Sequence, residues 1–311
     1  MRRTPPIIVA VGVIVVGVWL LFSQGGDAVV TDEQREVVEA LGSVPTTSAQ
    51  LQTPPAGDRE SSSPAIVDSA IRDPEERATP TMAELEILET FDHDTDAFTQ
   101  GLEFSEGALF ESTGLVGSST LRELDPSSGA TIRSVNVPDF FAEGITIIEE
   151  PTGDSIVQLT WQDEVALRYD ADTFEVIDTY SYEGQGWGIC HDGERLVMSS
   201  GSSTLQFRDP DDFSLQGTVD VTFDGVPVEL LNELECVNGR VWANIWMSAL
   251  IIEIDPESGA ITRVLDAEEL IPPGFEGSRS NVLNGVAYDP ADDTFLLTGK
   301  RWPLLYRVRI S

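Results

Sequence analysis

Phe98-Thr99-Gln100-Gly101-Leu102-Glu103-Phe104 is the first of five copies of one pattern. The second is Phe141-Ala142-Glu143-Gly144-Ile145-Thr146-Ile147, and the third is Gly186-Trp187-Gly188-Ile189-Cys190-His191. Asn232-Glu233-Leu234-Glu235-Cys236-Val237 and Leu283-Asn284-Gly285-Val286-Ala287-Tyr288 complete the set. Aligning Gln100, Glu143, Trp187, Glu233 and Asn284 gives spacings of 43, 44, 46 and 51 residues. Each copy places a large polar or aromatic residue ahead of a short apolar strand. A turn such as Asp192-Gly193 or Asn238-Gly239 follows, then a second strand. A period of about 40–50 residues in a β-rich chain marks propeller blades, each of four strands. Residues 83–311 are therefore expected to form an all-β, five-bladed β-propeller. The strand near residues 85–91 and the strand Leu304–Ile310 are expected to complete one blade together, which ties the domain's ends and protects its sheet edges.

The region before this domain reads differently. Arg2-Arg3 precedes an uncharged, apolar run from Pro5 through Phe22. That length is near the lower limit for spanning a bilayer, and the leading arginines favour a cytoplasmic N-terminus. Residues 1–23 are expected to be an uncleaved membrane anchor, with a cleaved signal peptide as the alternative. The β-propeller domain would then lie outside the cytoplasm, at the cell membrane or secreted after cleavage. Residues 24–82 are rich in Ser, Thr, Pro and acidic groups, too poor in large apolar side chains to offset chain entropy, and are expected to be a disordered linker. One short helix is predicted within it, from a Thr31 cap to Leu41, with Val37, Val38 and Leu41 on one face.

Charge excludes some partners. The chain carries 18 basic against 54 acidic residues, a formal net charge of -36, mostly within residues 83–311. Nucleic acid and anionic membrane surfaces are poor partners for such a body. Lys300 is the only lysine among those 18 basic residues. Its compact ammonium, whose pKa shifts readily on burial, does what an arginine fork does not. The two cysteines, Cys190 and Cys236, stand in the same register of consecutive repeats. They form either a disulfide, in an exported domain, or two buried thiols. His93 and His191 have no metal-ligand spacing with them and are read as surface or turn residues. No nucleophile elbow, Walker loop, zinc motif or dinucleotide fingerprint is present.

In a propeller the innermost strands line a central channel, and ligands sit at its mouth. The five aligned positions would make one ring there. Trp161, Trp246 and Lys300 would join it from the far ends of the following strands. Carboxylates, amides, one lysine and several indoles suit a small polar ligand held against aromatic walls, with one group able to move a proton.

The full ordered set of motifs resembles the plant and bacterial glutamine cyclotransferase family. The set comprises Phe98-Thr99-Gln100-Gly101-Leu102, Phe141-Ala142-Glu143-Gly144-Ile145-Thr146, Leu159-Thr160-Trp161 and Gly186-Trp187-Gly188. It continues with Leu231-Asn232-Glu233-Leu234-Glu235, Ala243-Asn244-Ile245-Trp246, Leu283-Asn284-Gly285-Val286-Ala287-Tyr288 and Thr298-Gly299-Lys300-Arg301-Trp302-Pro303. The resemblance implies a propeller that converts N-terminal glutamine of peptides to pyroglutamate with release of ammonia, without a cofactor or metal. It implies a site built from Phe98, Gln100, Phe141, Glu143, Trp161, Trp187, Asn232, Trp246 and Lys300. Glu143 is then the candidate proton carrier. Gln100, Asn232 and Lys300 are candidates for holding the oxyanion or main-chain carbonyl, and the aromatic residues for moulding the substrate. The expected partners are peptides or proteins with N-terminal Gln, and the expected state is a monomer. The alternative is a non-catalytic, membrane-anchored propeller that binds or scaffolds. A propeller lactonase or hydrolase would want a metal ring that these residues do not offer.

Overall fold

The computed structural model describes residues 30–44, 79–151 and 153–311. The anchor expected at residues 1–23, and most of the linker, lie outside them. Among the described residues no helix is long and apolar enough to cross a membrane.

Five sheets make an all-β propeller. Four contain four strands; one contains seven, in which the strands Leu231–Val237, Arg240–Ile245, Leu250–Asp255 and Ala260–Asp266 form the same antiparallel meander as the others. The innermost strands are Thr99–Ser105, Ala142–Ile148, Ile189–His191, Leu231–Val237 and Leu283–Asp289. Each packs beside the next, and the last beside the first, so the ring is closed. As expected, Leu85–Asp92 pairs antiparallel with Leu304–Ile310 as the outer strand of the last sheet. Just before it, Thr81–Met82 runs parallel to the outer strand of the neighbouring sheet, so one segment clasps two sheets.

Apolar side chains on facing sheets fill the spaces between them. Leu102, Leu109 and Leu124 meet Ala287, Leu296 and Leu305 between the first sheet and the last. Ile148, Val157 and Leu159 meet Ile189, Leu196 and Met198 between the second and third. Burial of such layers from water is the main favourable contribution to the fold. At the axis the inner strands come into backbone contact. A Cβ at Gly144 would lie 2.7 Å from the Trp187 carbonyl oxygen and 2.8 Å from Gly188 Cα, so the motif's glycine sets the diameter of the ring.

The pairing registers correct the alignment of the fourth repeat. Leu231 opposes Ile245 and Leu234 opposes Ala243, with the same irregularity between them that separates Leu283 from Val286 and Ala142 from Ile145. Asn232, not Glu233, is therefore equivalent to Glu143 and Asn284. Glu233 stands where the four other repeats have glycine: Gly101, Gly144, Gly188 and Gly285. Its carboxylate lies on the axis and accepts from Val286 N at 2.8 Å and Leu102 N at 3.3 Å, which joins three inner strands.

The predicted helix spans Asp32–Leu41, and Thr31 Oγ1 accepts from Gln34 N at 3.2 Å. It is not part of a free linker. Gln34 is buried, donates to the Pro227 carbonyl at 3.1 Å and accepts from Glu229 N at 3.0 Å. Val37 and Leu41 enter the core beside Val228 and Leu230. The linker assigned to residues 24–82 is therefore interrupted by an element that belongs to the propeller. Cys190 and Cys236 are joined in a disulfide between neighbouring inner strands, with Cα atoms 5.4 Å apart.

Candidate active site

The ring positions Gln100, Glu143, Trp187, Asn232 and Asn284 are all buried, each at the start of its inner strand or just before it. Lys300 follows the strand Thr294–Gly299 and is buried with them. A polar chain connects three members. Gln100 Nε2 donates to Glu143 Oε1 at 3.0 Å, and Lys300 Nζ donates to Gln100 Oε1. Asn284 Nδ2 fixes the strand behind them through the Thr99 carbonyl at 3.0 Å. The Asn232 side-chain oxygen is buried and has no hydrogen-bond partner. Buried acceptors are nearly always paired, and among the described residues the Asn284 side-chain oxygen of the same ring likewise has no partner.

Aromatic rings form a continuous arc over this floor. Lys300 Nζ lies 4.9 Å from the centre of the Phe98 ring. Phe98 meets Phe141 edge-on at 6.1 Å, and Phe141 meets Trp161 at 5.6 Å. Trp187 meets Trp246 edge-on at 5.4 Å. The two halves are held together by Gln185, whose Oε1 accepts from Trp161 Nε1 at 2.8 Å and from Trp187 Nε1 at 3.0 Å. Phe98, Phe141, Trp161 and Trp246 are half-exposed, whereas the polar floor is not. Gly201, with φ at 77°, passes under Trp187; a Cβ there would lie 2.6 Å from its ring.

Burial raises the Glu143 carboxyl well above the usual carboxylate range, opposed by the charge of Lys300. Burial likewise pulls Lys300 down to about 8, opposed by Glu143. Displaced values of this kind put both protonation states of a carboxyl, or of an amine, within reach of working pH. Glu233 is also raised well above its usual range by burial, but its oxygens are taken up by the axis. Among the described residues no group of three or more His, Cys, Asp or Glu side chains is arranged to hold a metal ion.

Residues 62–310 match the family model described as glutamine cyclotransferase. The chain belongs to that family. It is 35% identical over 235 residues to a glutaminyl-peptide cyclotransferase of Arabidopsis thaliana, which covers 73% of this chain and 72% of that protein. It also superposes on the crystal structure of the Myxococcus xanthus glutaminyl cyclase with a TM-score of 0.68 at 38% identity, over 75% of this chain and 98% of the other. The helix Asp32–Leu41 lies ahead of the residues matched by the glutamine cyclotransferase model.

Of the residues that the sequence singles out, Gln100, Glu143 and Lys300 are in direct contact and Phe98, Phe141, Trp161, Trp187 and Trp246 are neighbours in the arc, whereas Glu233 of the aligned ring sits on the axis. Two further contributors were missed. Gln185 aligns both indoles; its one sequence signal is a lone polar residue between Gly184 and Gly186, directly ahead of Trp187. His93 is not a surface residue. It is buried, with Nε2 3.0 Å from Glu111 Oε1 and Nδ1 2.9 Å from the Trp302 carbonyl, and so braces the turn that carries Lys300. Thr99 Oγ1 donates to the same Glu111 oxygen at 2.7 Å, and Arg122 Nε lies 3.4 Å from the other.

Burial opposes the ionised His93, yet the charge and hydrogen bond of Glu111 outweigh it and raise its pKa above 6.5. Burial also opposes the Glu111 carboxylate, but the charge of His93 and its other partners leave its pKa lowered. The pair's contribution is thus lost as pH falls through the lowered Glu111 value, and again as pH rises through the raised His93 value. Between those limits His93→Leu is expected to reduce the unfolding free energy by about 3 kcal/mol, the effect of leaving a buried charge without its partner. Denaturant unfolding checks this. A loss no larger than that of a surface pair, about 1 kcal/mol or less, would mean that Thr99 and Arg122 satisfy Glu111 without His93.

Proposed function

We propose that this chain is a glutaminyl-peptide cyclotransferase that closes the N-terminal glutamine of peptides to pyroglutamate and releases ammonia. The observation that carries this reading is the buried chain of Lys300, Gln100 and Glu143 beneath an arc of five aromatic rings. The seven-stranded sheet counts as a fifth blade in this reading.

The chemistry needs a proton moved twice. The substrate's α-amine loses one as its nitrogen attacks the γ-carboxamide carbon, and the amide nitrogen gains one as the C–N bond breaks. Glu143 takes the first proton and delivers the second. Its raised pKa makes it a strong enough base for the first step and leaves it protonated for the second. In the tetrahedral intermediate the carboxamide oxygen carries negative charge, and the Lys300 ammonium is the buried cation available to it. Asn232 Oδ1 accepts from the substrate's amine. The aromatic arc holds the glutamine side chain folded back on its own amine, and this orientation supplies much of the acceleration in a ring closure.

The test is pyroglutamate formation and ammonia release from a Gln-initiated dipeptide by the full chain, in the presence of a strong chelator. Turnover supports the cyclotransferase reading. Binding without turnover would support the non-catalytic propeller instead. On the alkaline side kcat/KM is expected to fall with a pKa of about 8, as Lys300 loses its proton. The residual activity of Lys300→Arg should lack that limb, because the guanidinium does not titrate in this range. An unchanged profile in that variant would assign the limb to another group.

We further propose that the enzyme acts as a monomer outside the cytoplasm, tethered by residues 1–23. The apolar run of Pro5–Phe22 supports this, and the disulfide is compatible with an oxidising compartment.

A further inference from the structure

Beside the aromatic arc lies a groove of about 410 Å³. One wall is the helix Asp32–Leu41 and the other is the loop at residues 277–279. Val30, Val38, Leu230, Met247 and Trp246 give it an apolar lining, with the charged side chains of Arg35, Glu39 and Arg279 also among its walls. A second hollow of about 370 Å³ shares Val38 and Met247 and continues past Phe275 to Trp302. The two hollows therefore adjoin, and the first is lined in part by Trp246, a ring of the aromatic arc.

The floor is held in an unusual conformation. Leu230 and Met247 both have φ at 67°, in the left-handed region that residues with a Cβ rarely adopt. Trp246 N donates to the Leu230 carbonyl at 2.9 Å and locks the two segments together. Strain of this kind persists where surrounding structure enforces it and is concentrated at ligand clamps. The helical wall is fixed from below by Gln34, Val37 and Leu41, which leaves Val38 half-exposed along the groove. The wall also precedes the residues matched by the family model.

We infer that this groove binds the substrate's polypeptide chain immediately after its N-terminal glutamine and selects apolar side chains there. The inference rests on the cyclotransferase reading: the reaction consumes only the terminal residue, so the rest of the peptide must leave the site through its mouth. The groove offers that chain an apolar path that is continuous with Trp246. The helix thus acts as a specificity element of this site.

The experiment compares a Gln-Gly dipeptide with two Gln-initiated hexapeptides, one with leucine and one with aspartate at the third and fourth positions, using the full chain. The leucine hexapeptide is expected to have the lowest KM. Val38→Asp should raise that KM about tenfold, as expected for one lost aliphatic contact, and leave dipeptide kinetics unchanged. Val38→Trp, which keeps the helix apolar but fills the groove, should produce the same split. Equal kcat/KM for all three peptides in the wild type would overturn the inference, as would equal effects of the variants on the dipeptide and the leucine hexapeptide. A lower KM for every peptide in Val38→Asp would assign the groove to the chain's own linker. Unchanged peptide kinetics together with loss of a dimer would assign it to a second copy. No ammonia from any peptide would remove the cyclotransferase reading itself, a result distinct from the loss of length selectivity alone.

Discussion

Glu143→Gln is expected to lower kcat by about a thousandfold or more and to leave KM for a Gln-initiated peptide within a few-fold of wild type. Positioned proton transfer typically contributes about 10²–10⁴ in rate, and here one group serves two transfers in series. The substitution is nearly isosteric. Gln100 Nε2 now donates to Glu143 Oε1 at 3.0 Å, and the amide oxygen of a glutamine can accept the same bond. The amide of the variant keeps the shape of the carboxyl but can neither take up nor release a proton, so it loses both transfers. Steady-state kinetics with an ammonia readout measure the effect. Activity within tenfold of wild type would remove Glu143 as the proton carrier.

Lys300→Arg is expected to lose about 10²–10³ in kcat, the usual range for removing one preorganised oxyanion donor, although it preserves charge. Lys300 is buried, donates to Gln100 and lies over Phe98, so little room remains around its Nζ. A guanidinium is planar and wider, and would push into Gln100 or Phe98 to occupy the same place. The neighbouring Arg301 already lies over Phe98, with Cζ 5.4 Å from the ring centre, so the chain has an arginine next to this position and uses lysine within it. Near-normal kinetics in the variant would show that any cation suffices and that Lys300 serves the fold.

Much of this arrangement could be read in the residues, because the same local physics acts in every repeat. A glycine at four of the five axial positions marks where inner strands touch, and the polar or aromatic residue before it marks the mouth. The reading slipped at the fourth repeat because Glu233 occupies the glycine position there. Only the pairing of Leu231 with Ile245 and of Leu234 with Ala243 fixes that register. The aromatic arc was legible because Trp161 and Trp246 end equivalent strands. Gln185 was not, since its role depends on two indoles 26 residues apart in sequence meeting at one oxygen. His93 looked like a turn residue beside Asp92 and Asp94. Its partners Glu111 and Trp302 come from distant segments, and nothing local announces them. The helix Asp32–Leu41 was visible from its cap and its periodicity. Its docking was not, because Gln34 reaches backbone groups at Pro227 and Glu229 almost two hundred residues away.

The central claim is that the substrate's own amine displaces its side-chain amide at the Glu143–Gln100–Lys300 floor. Following a peptide whose N-terminal glutamine carries heavy nitrogen only in the side-chain amide tests it most directly. The expected result is that all of the label leaves as ammonia and the cyclised peptide retains its unlabelled α-nitrogen. Label retained in the peptide product, or an unlabelled ammonia, would contradict the account.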